Sequence, residues 1–264
     1  MIVNSTTSRS NHVKTGAAAA VPAGNIRRKL NRIYHALFKA YGPRNWWPGE
    51  SPTEIVIGAI LTQNTNWKNV EKAIARLRAA GLIDWQALRQ VAVPKLAEII
   101  RPAGYHNLKA RRLNNFVDWL FERFEGRLER LREIPIDDLR AQLLQVNGIG
   151  PETADAILLY AVGLPTFVVD AYTGRVARRH GLIEHGHDYA ALKSVFEENL
   201  PRDLKLYNEF HALLVEVGKR HCGPDASCTG CPLARFSGAR IKGPAGSPRS
   251  SRARKARIAA GTTR

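Results

Sequence analysis

Val146-Asn147-Gly148-Ile149-Gly150-Pro151-Glu152-Thr153-Ala154-Asp155, an apolar run through Tyr160, then Gly163-Leu164-Pro165 and Phe167-Val168-Val169-Asp170: this stretch decides the fold. Ahead of it, Leu139, Leu143 and Leu144 give one helix an apolar face. Gly148 and Gly150 flank Ile149, and glycine there permits positive φ and close backbone approach. Pro151 opens the next helix, where its missing N–H is no loss. The pattern is helix, tight glycine turn, helix, with the first N–H groups of the second helix free. Such a turn can hold a phosphate by backbone donors, or be an ordinary joint between two helices. Glu152 is either an early-turn acid favoured by the helix dipole or a pocket residue. Asp170 precedes Ala171-Tyr172-Thr173 and can cap that helix or offer a carboxylate to a cleft; the roles are compatible.

Outward from this stretch the periodicity is helical. Leu30, Ile33, Tyr34, Leu37 and Phe38 recur at helical spacing, and Ser51-Pro52-Thr53-Glu54 is a capping box opening an apolar helix through Leu61. Residues 68–80, 85–101, 107–124 and 136–145 read as further helices, punctuated by Gly81, Pro102-Ala103-Gly104, Gly126 and Pro135. Long β-branched alternation is missing, so the predicted class is all-α. Residues 1–25 and 238–264 lack spaced large apolar residues and read as disordered tails.

The 264-residue chain has 40 Lys+Arg against 23 Asp+Glu, a formal charge of +17. Eight basic residues and no acid fall in the last 27 residues, leaving +9 elsewhere. So basic a chain points to nucleic acid or another anionic surface. A basic ribosomal or chaperone-bound protein has the same charge signature. The tail can bind phosphates without reading sequence or merely aid solubility. No apolar run has membrane-spanning length, and no convincing signal peptide stands at the start. The expected setting is cytoplasmic, at the nucleoid, as a monomer.

The order hairpin, apolar helix, Gly-x-Pro, two apolar residues and Asp resembles the endonuclease III superfamily of base-excision repair glycosylases, over residues 27–237. The resemblance implies two helical lobes, 26–43 joined to 154–237 and 44–153, with double-stranded DNA containing a damaged base across the cleft and that base flipped out. It makes Asp170 the catalytic carboxylate, stabilising the sugar cation and orienting water. Gln63 would fill the space left by the extruded base. The Gly104-Tyr105-His106-Asn107-Leu108-Lys109 loop would wedge into the duplex through Tyr105 or His106, with Lys109 beside it. Val146, Gly148 and Gly150 of the hairpin would meet the backbone.

Bifunctional members of that family carry lysine two residues after the last hairpin glycine. Here Glu152 stands there, and a carboxylate cannot form a Schiff base. The resemblance is nearest to the 3-methyladenine glycosylase branch, which shares Trp46-Trp47-Pro48, the stretch Thr62-Gln63-Asn64-Thr65 followed by an aromatic, here Trp67, and the glutamate. It implies that Trp46, Trp47, Pro48, Trp67 and Glu152 line a pocket in which aromatic faces hold a cationic alkylated purine. Read as residues alone, the tryptophans could equally be core anchors. The expected activity is monofunctional release of 3-methyladenine or a related base. The rivals are an endonuclease III-type enzyme for oxidised pyrimidines with lyase activity and a module that binds damaged DNA without cutting.

His221-Cys222, Cys228 and Cys231 give Cys-x5-Cys-x2-Cys. The family usually holds a [4Fe–4S] cluster there on four cysteines, but the fourth position is Ser237. The site could carry a cluster with Ser237, His221 or an external ligand, a zinc on three Cys and His221, or nothing.

Overall fold

The computed structural model describes residues 23–183 and 188–236. Among these the protein is all helical, without a strand; an isolated bridge joins Cys222 and Ala226. Helix α1 (Ala23–Tyr41) begins inside the segment expected to be disordered, while the rest of that segment and the basic tail lie outside the described residues. Leu30, Ile33 and Leu37 on α1 are fully buried, each contributing about 1.5–3 kcal/mol of apolar transfer.

Helix α2 (Pro52–Leu61) is the central strut. Ser51 caps it, accepting from Glu54 N–H at 3.2 Å, and it is buried from Val56 to Leu61. Helix α3 (Trp67–Ala79) is capped by Asn66. The single helix expected over 85–101 is two, α4 (Trp85–Gln90) and α5 (Val93–Ile99). Val91 and Ala92 between them are extended, because in an unbroken helix Pro94 would have no N–H for the carbonyl four residues back and its ring would clash with it. Helix α6 (His106–Phe124) packs on α4, α5 and α2.

Helix α7 (Ile136–Gln145) and helix α8 (Pro151–Ala156) form the hairpin; α8 continues as a π-helical turn, Ile157–Val162, ended by Gly163. Helix α9 (Ala171–Arg179), helix α10 (Tyr189–Glu197) and helix α11 (Leu204–Arg220) begin at Asp170, Asp188 and Asp203, each capping by its side chain. Helix α11 packs on α1, α9 and the π turn. Gly218 permits the α9 contact: a Cβ there would stand 2.5 Å from the Tyr172 ring.

Candidate active-site cleft

A cleft of about 800 Å³ opens where the α2–α3 turn and the hairpin face α9 and α11, large enough for an extruded base. Gly58 lies beneath the aromatic wall, where a Cβ would meet Trp47 at 3.4 Å and Trp67 at 3.5 Å, ordinary van der Waals contact. Trp47 meets Trp67 edge-on at 5.2 Å and 89°, Trp46 at 5.4 Å and Tyr160 at 5.2 Å. Trp46, Trp47 and Trp67 are half-buried and all line the cleft. The indole N–H groups of Trp46 and Trp47 and the Tyr160 hydroxyl are buried without a hydrogen-bond partner. Burial, with the Asp170 charge as second cause, holds the Tyr160 hydroxyl neutral, well above the usual tyrosine range. Pro48 is exposed and lies off the cleft, which corrects its placement in the pocket: the chain turns outward after Trp47, and Gly49 bonds back to the Trp47 carbonyl.

Two carboxylates face this wall. Asp170 accepts from Thr173 N–H at 2.7 Å through Oδ1 and lines the cleft, so capping and cleft exposure coexist. His211, buried, holds the Val168 carbonyl at 2.9 Å and steadies the segment that carries Asp170. Glu152 opens onto the cleft, yet surrounding protein strips its carboxylate of enough hydration to push its pKa up to about 7, with the Asp170 charge as second cause. Three residues on, Asp155 is fully buried. It binds Arg140 at 2.8 and 3.1 Å, Lys193 at 3.0 Å and the Tyr189 hydroxyl at 2.8 Å. Glu197 completes this frame by accepting from Thr166 and from Phe167 N–H at 2.8 Å.

The hairpin turn needs glycine at one of its two positions. Gly148 has φ +98, and a Cβ there would stand 2.2 Å from the Arg112 stem. Gly150 has φ −92 and nothing within 4 Å of a Cβ, so its value is open space rather than backbone freedom. Val146 is buried against the core, which corrects its placement on the DNA side; it closes the turn, its carbonyl accepting from Ile149 N–H at 3.0 Å. Gln63 donates to the Gly148 carbonyl at 2.9 Å and to the Thr153 hydroxyl at 3.0 Å.

The expected wedge loop is only partly at the surface. Tyr105 is 69% exposed in a left-handed conformation, and His106 is half-buried at the start of α6. Lys109 is corrected: it is 1% exposed, and its ammonium donates to the Leu61 and Ala103 carbonyls at 2.8 Å each. Burial, with Arg112 as a lesser cause, lowers its pKa to about 8.

Sequence reading missed Arg112, Tyr172, Tyr189, His211 and Lys219, which all line the cleft. Lys219 holds its ammonium 5.6 Å from the Trp46 ring centroid; as the lysine in the cleft wall, it bears on any Schiff-base chemistry. No local signal marks it, because α11 reaches the cleft only through the fold.

The region matching a family model runs from residue 57 to residue 202, and that model describes the HhH-GPD superfamily base excision DNA repair proteins. The chain belongs to that superfamily. A Methanocaldococcus jannaschii protein, provisionally named a DNA repair glycosylase, is 48% identical over 209 residues, 78% of this chain and 94% of that protein. Among solved structures, the Helicobacter pylori 3-methyladenine DNA glycosylase bound to 1,N6-ethenoadenine superposes with TM-score 0.63 and 30% identity, covering 76% of this chain and 98% of that one. A trapped endonuclease III–DNA covalent intermediate superposes with TM-score 0.69 at 22% identity, over 82% of this chain and 96% of that one; at that identity the likeness is one of fold. This HhH-GPD protein is a base-excision repair DNA glycosylase with a helical fold.

The cysteine loop of this HhH-GPD protein is held by arginines from α9. Arg175 donates to the Cys222 carbonyl at 2.7 Å, and Arg179 to those of Gly223 and Pro224 at 2.8 and 2.7 Å. Cys222 is buried, Cys228 and Cys231 half-buried. Burial pushes the Cys231 thiol up, and the neighbouring Cys222 and Cys228 push it further. Among the described residues no three His, Cys, Asp or Glu side chains come close enough to hold a metal ion, and His221 Nδ1 is 3.1 Å from the Ser227 carbonyl. As they stand, these side chains fit neither the zinc alternative on three cysteines and His221 nor a cluster held by the same three thiols. For a cluster the described chain offers three thiols and no fourth; Ser237 lies outside the described residues.

Proposed function

We propose that this protein hydrolyses the N-glycosidic bond of a cationic alkylated purine, 3-methyladenine foremost, in double-stranded DNA, leaving the strand uncut. The observation that carries the reading is Glu152, in a cleft it shares with Asp170 and three tryptophans, at the hairpin position where the resemblance expects lysine in strand-cutting members. The 30% identical structure of a 3-methyladenine glycosylase supports it.

The DNA backbone approaches the hairpin at Gly150, where the space is open. Tyr105 enters the duplex, and Gln63 takes the extruded base's place. The base stacks against an indole face of the cleft wall, which favours its positive charge. An N-alkylated purine leaves as a neutral base without prior protonation, so the task left is the developing sugar cation. The Asp170 carboxylate stabilises that cation and orients the water that adds to C1′; the water's proton passes to Asp170 and then to solvent. Glu152, ionised above pH about 7, adds attraction for the cationic base. The protein works as an intracellular monomer, and its basic tail adds contacts that do not read sequence.

Asp170→Asn is expected to lose about 10²–10³-fold in base release while still binding DNA. A variant that releases base at the wild-type rate overturns the assignment. The second reading, an endonuclease III-type glycosylase with lyase activity, is favoured by one observation, Lys219 in the cleft wall. Borohydride trapping on an abasic site, absent in Lys219→Ala, would establish it.

A further inference from the structure

Helix α6 lays three polar side chains, Lys109, Arg112 and Asn115, along one stripe, and each reaches a loop on the cleft side. Lys109 joins the end of α2 to the turn before Tyr105. Asn115 donates to the Asn147 carbonyl of the hairpin at 3.0 Å. Arg112 donates to the Gln63 side-chain oxygen and lays its stem over Gly148. Of the three, Arg112 alone binds a side chain that the proposed reaction moves.

The partners of Gln63 fix its amide. Its nitrogen faces the Gly148 carbonyl, which can only accept, and the Thr153 hydroxyl; its oxygen faces a guanidinium, which can only donate. A flipped amide would set oxygen against carbonyl and N–H against guanidinium, two repulsive contacts in place of two bonds. We propose that Arg112 is a positioning residue for base extrusion: by holding the Gln63 oxygen it makes Gln63 enter the duplex as a hydrogen-bond donor, matched to an orphaned pyrimidine. A pyrimidine left opposite an extruded purine offers its O2 carbonyl as an acceptor, which takes over the N–H groups that Gly148 and Thr153 hold in the free protein. This rests on the reading that Gln63 fills the vacated space.

The test compares duplex with single-stranded substrate, since only the duplex has an orphaned base. Arg112→Met keeps the stem over Gly148 and removes the guanidinium; Arg112→Lys keeps a donor. Arg112→Met is expected to release base from methylated duplex about tenfold more slowly, the loss of one charge-assisted hydrogen bond, with a much smaller change on single strands. Arg112→Lys recovers most of the loss, and Arg112→Met adds nothing to Gln63→Ala. Equal losses on both substrates, or a full further loss in the Gln63→Ala background, overturn the proposal and make Arg112 a phosphate contact or a support of the fold. Thermal unfolding of each variant identifies one that has failed to fold, and Arg112→Lys then carries the comparison. Extrusion is also read without chemistry, from the fluorescence of 2-aminopurine at the target position. If wild type releases no base yet extrudes 2-aminopurine in an Arg112-dependent way, the function reading falls and the positioning role stands; extrusion indifferent to Arg112 removes the positioning role.

Discussion

Glu152 and Asp155 are two acids on one short helix, three residues apart, and the protein uses them in opposite ways. Asp155 points into protein, where Arg140, Lys193 and Tyr189 satisfy it. Glu152 points into the cleft, where its nearest charged influence is another acid, Asp170. A buried carboxylate with cations around it is a fastening; a carboxylate raised by desolvation and a like charge is a group poised to change state. Residue type and helix position are nearly the same for both, so the difference lies wholly in what the fold brings to each.

The largest contrast is in stability. Asp155→Ala strands Arg140 and leaves Lys193 only its longer pairing with Glu197 at 3.5 Å, their side chains being 25% and 12% exposed, and is expected to cost about 3–5 kcal/mol by urea unfolding. Glu152→Ala removes a desolvated charge beside Asp170 and should leave the protein at least as stable as wild type at neutral pH. Similar losses from both would break the comparison.

Proton linkage sharpens it. Glu152 holds its proton to about pH 7 in the folded protein, against an ordinary 4.5. Between those values the folded state keeps a proton that the unfolded chain has released, so the stability contributed by this group falls as pH rises through the window and is level above it. Glu152→Gln lacks this proton: its stability relative to wild type should improve from pH 4.5 to about 7. A flat difference across the window would place Glu152 in open solvent. The same ionisation should lower KM for a cationic base as pH rises through about 7 in wild type and not in Glu152→Gln.

Much of this was legible in the sequence. The hairpin, Asp170 and the tryptophans stand at motif spacings, and the capping residues announce where α2 and α9 begin. Other features depend on contacts between distant segments. Lys109 reads as a surface cation in a basic loop, yet the end of α2 and the turn at Ala103 close over it. Pro48 follows two cleft tryptophans but turns away from them. Asp155 left a usable signal: an acid between Ala154 and Ala156, inside an apolar run, must be buried and therefore paired. The break ahead of Pro94 was legible too, since a proline inside an unbroken helix has no N–H for the carbonyl four residues back and clashes with it.

Two smaller effects complete the comparison. Trp67→Ala removes one aromatic wall, and the loss in KM for methylated DNA should be about tenfold, the scale of one desolvated cation–π contact; an unchanged KM would leave Trp67 a core anchor. Cys228→Ala should change base release by less than about twofold, because α9 arginines hold that loop through its carbonyls. A brown protein whose iron is lost in Cys228→Ala together with activity would contradict that.

The central claim, that Glu152 leaves base release without strand cleavage, is tested most directly by following both products from one methylated duplex: the free bases liberated and the integrity of the strand, with borohydride added to a parallel sample. The expected result is free 3-methyladenine, an abasic but unbroken strand and no trapped adduct. Strand scission at the rate of base release, with a covalent protein–DNA adduct under borohydride, would contradict it.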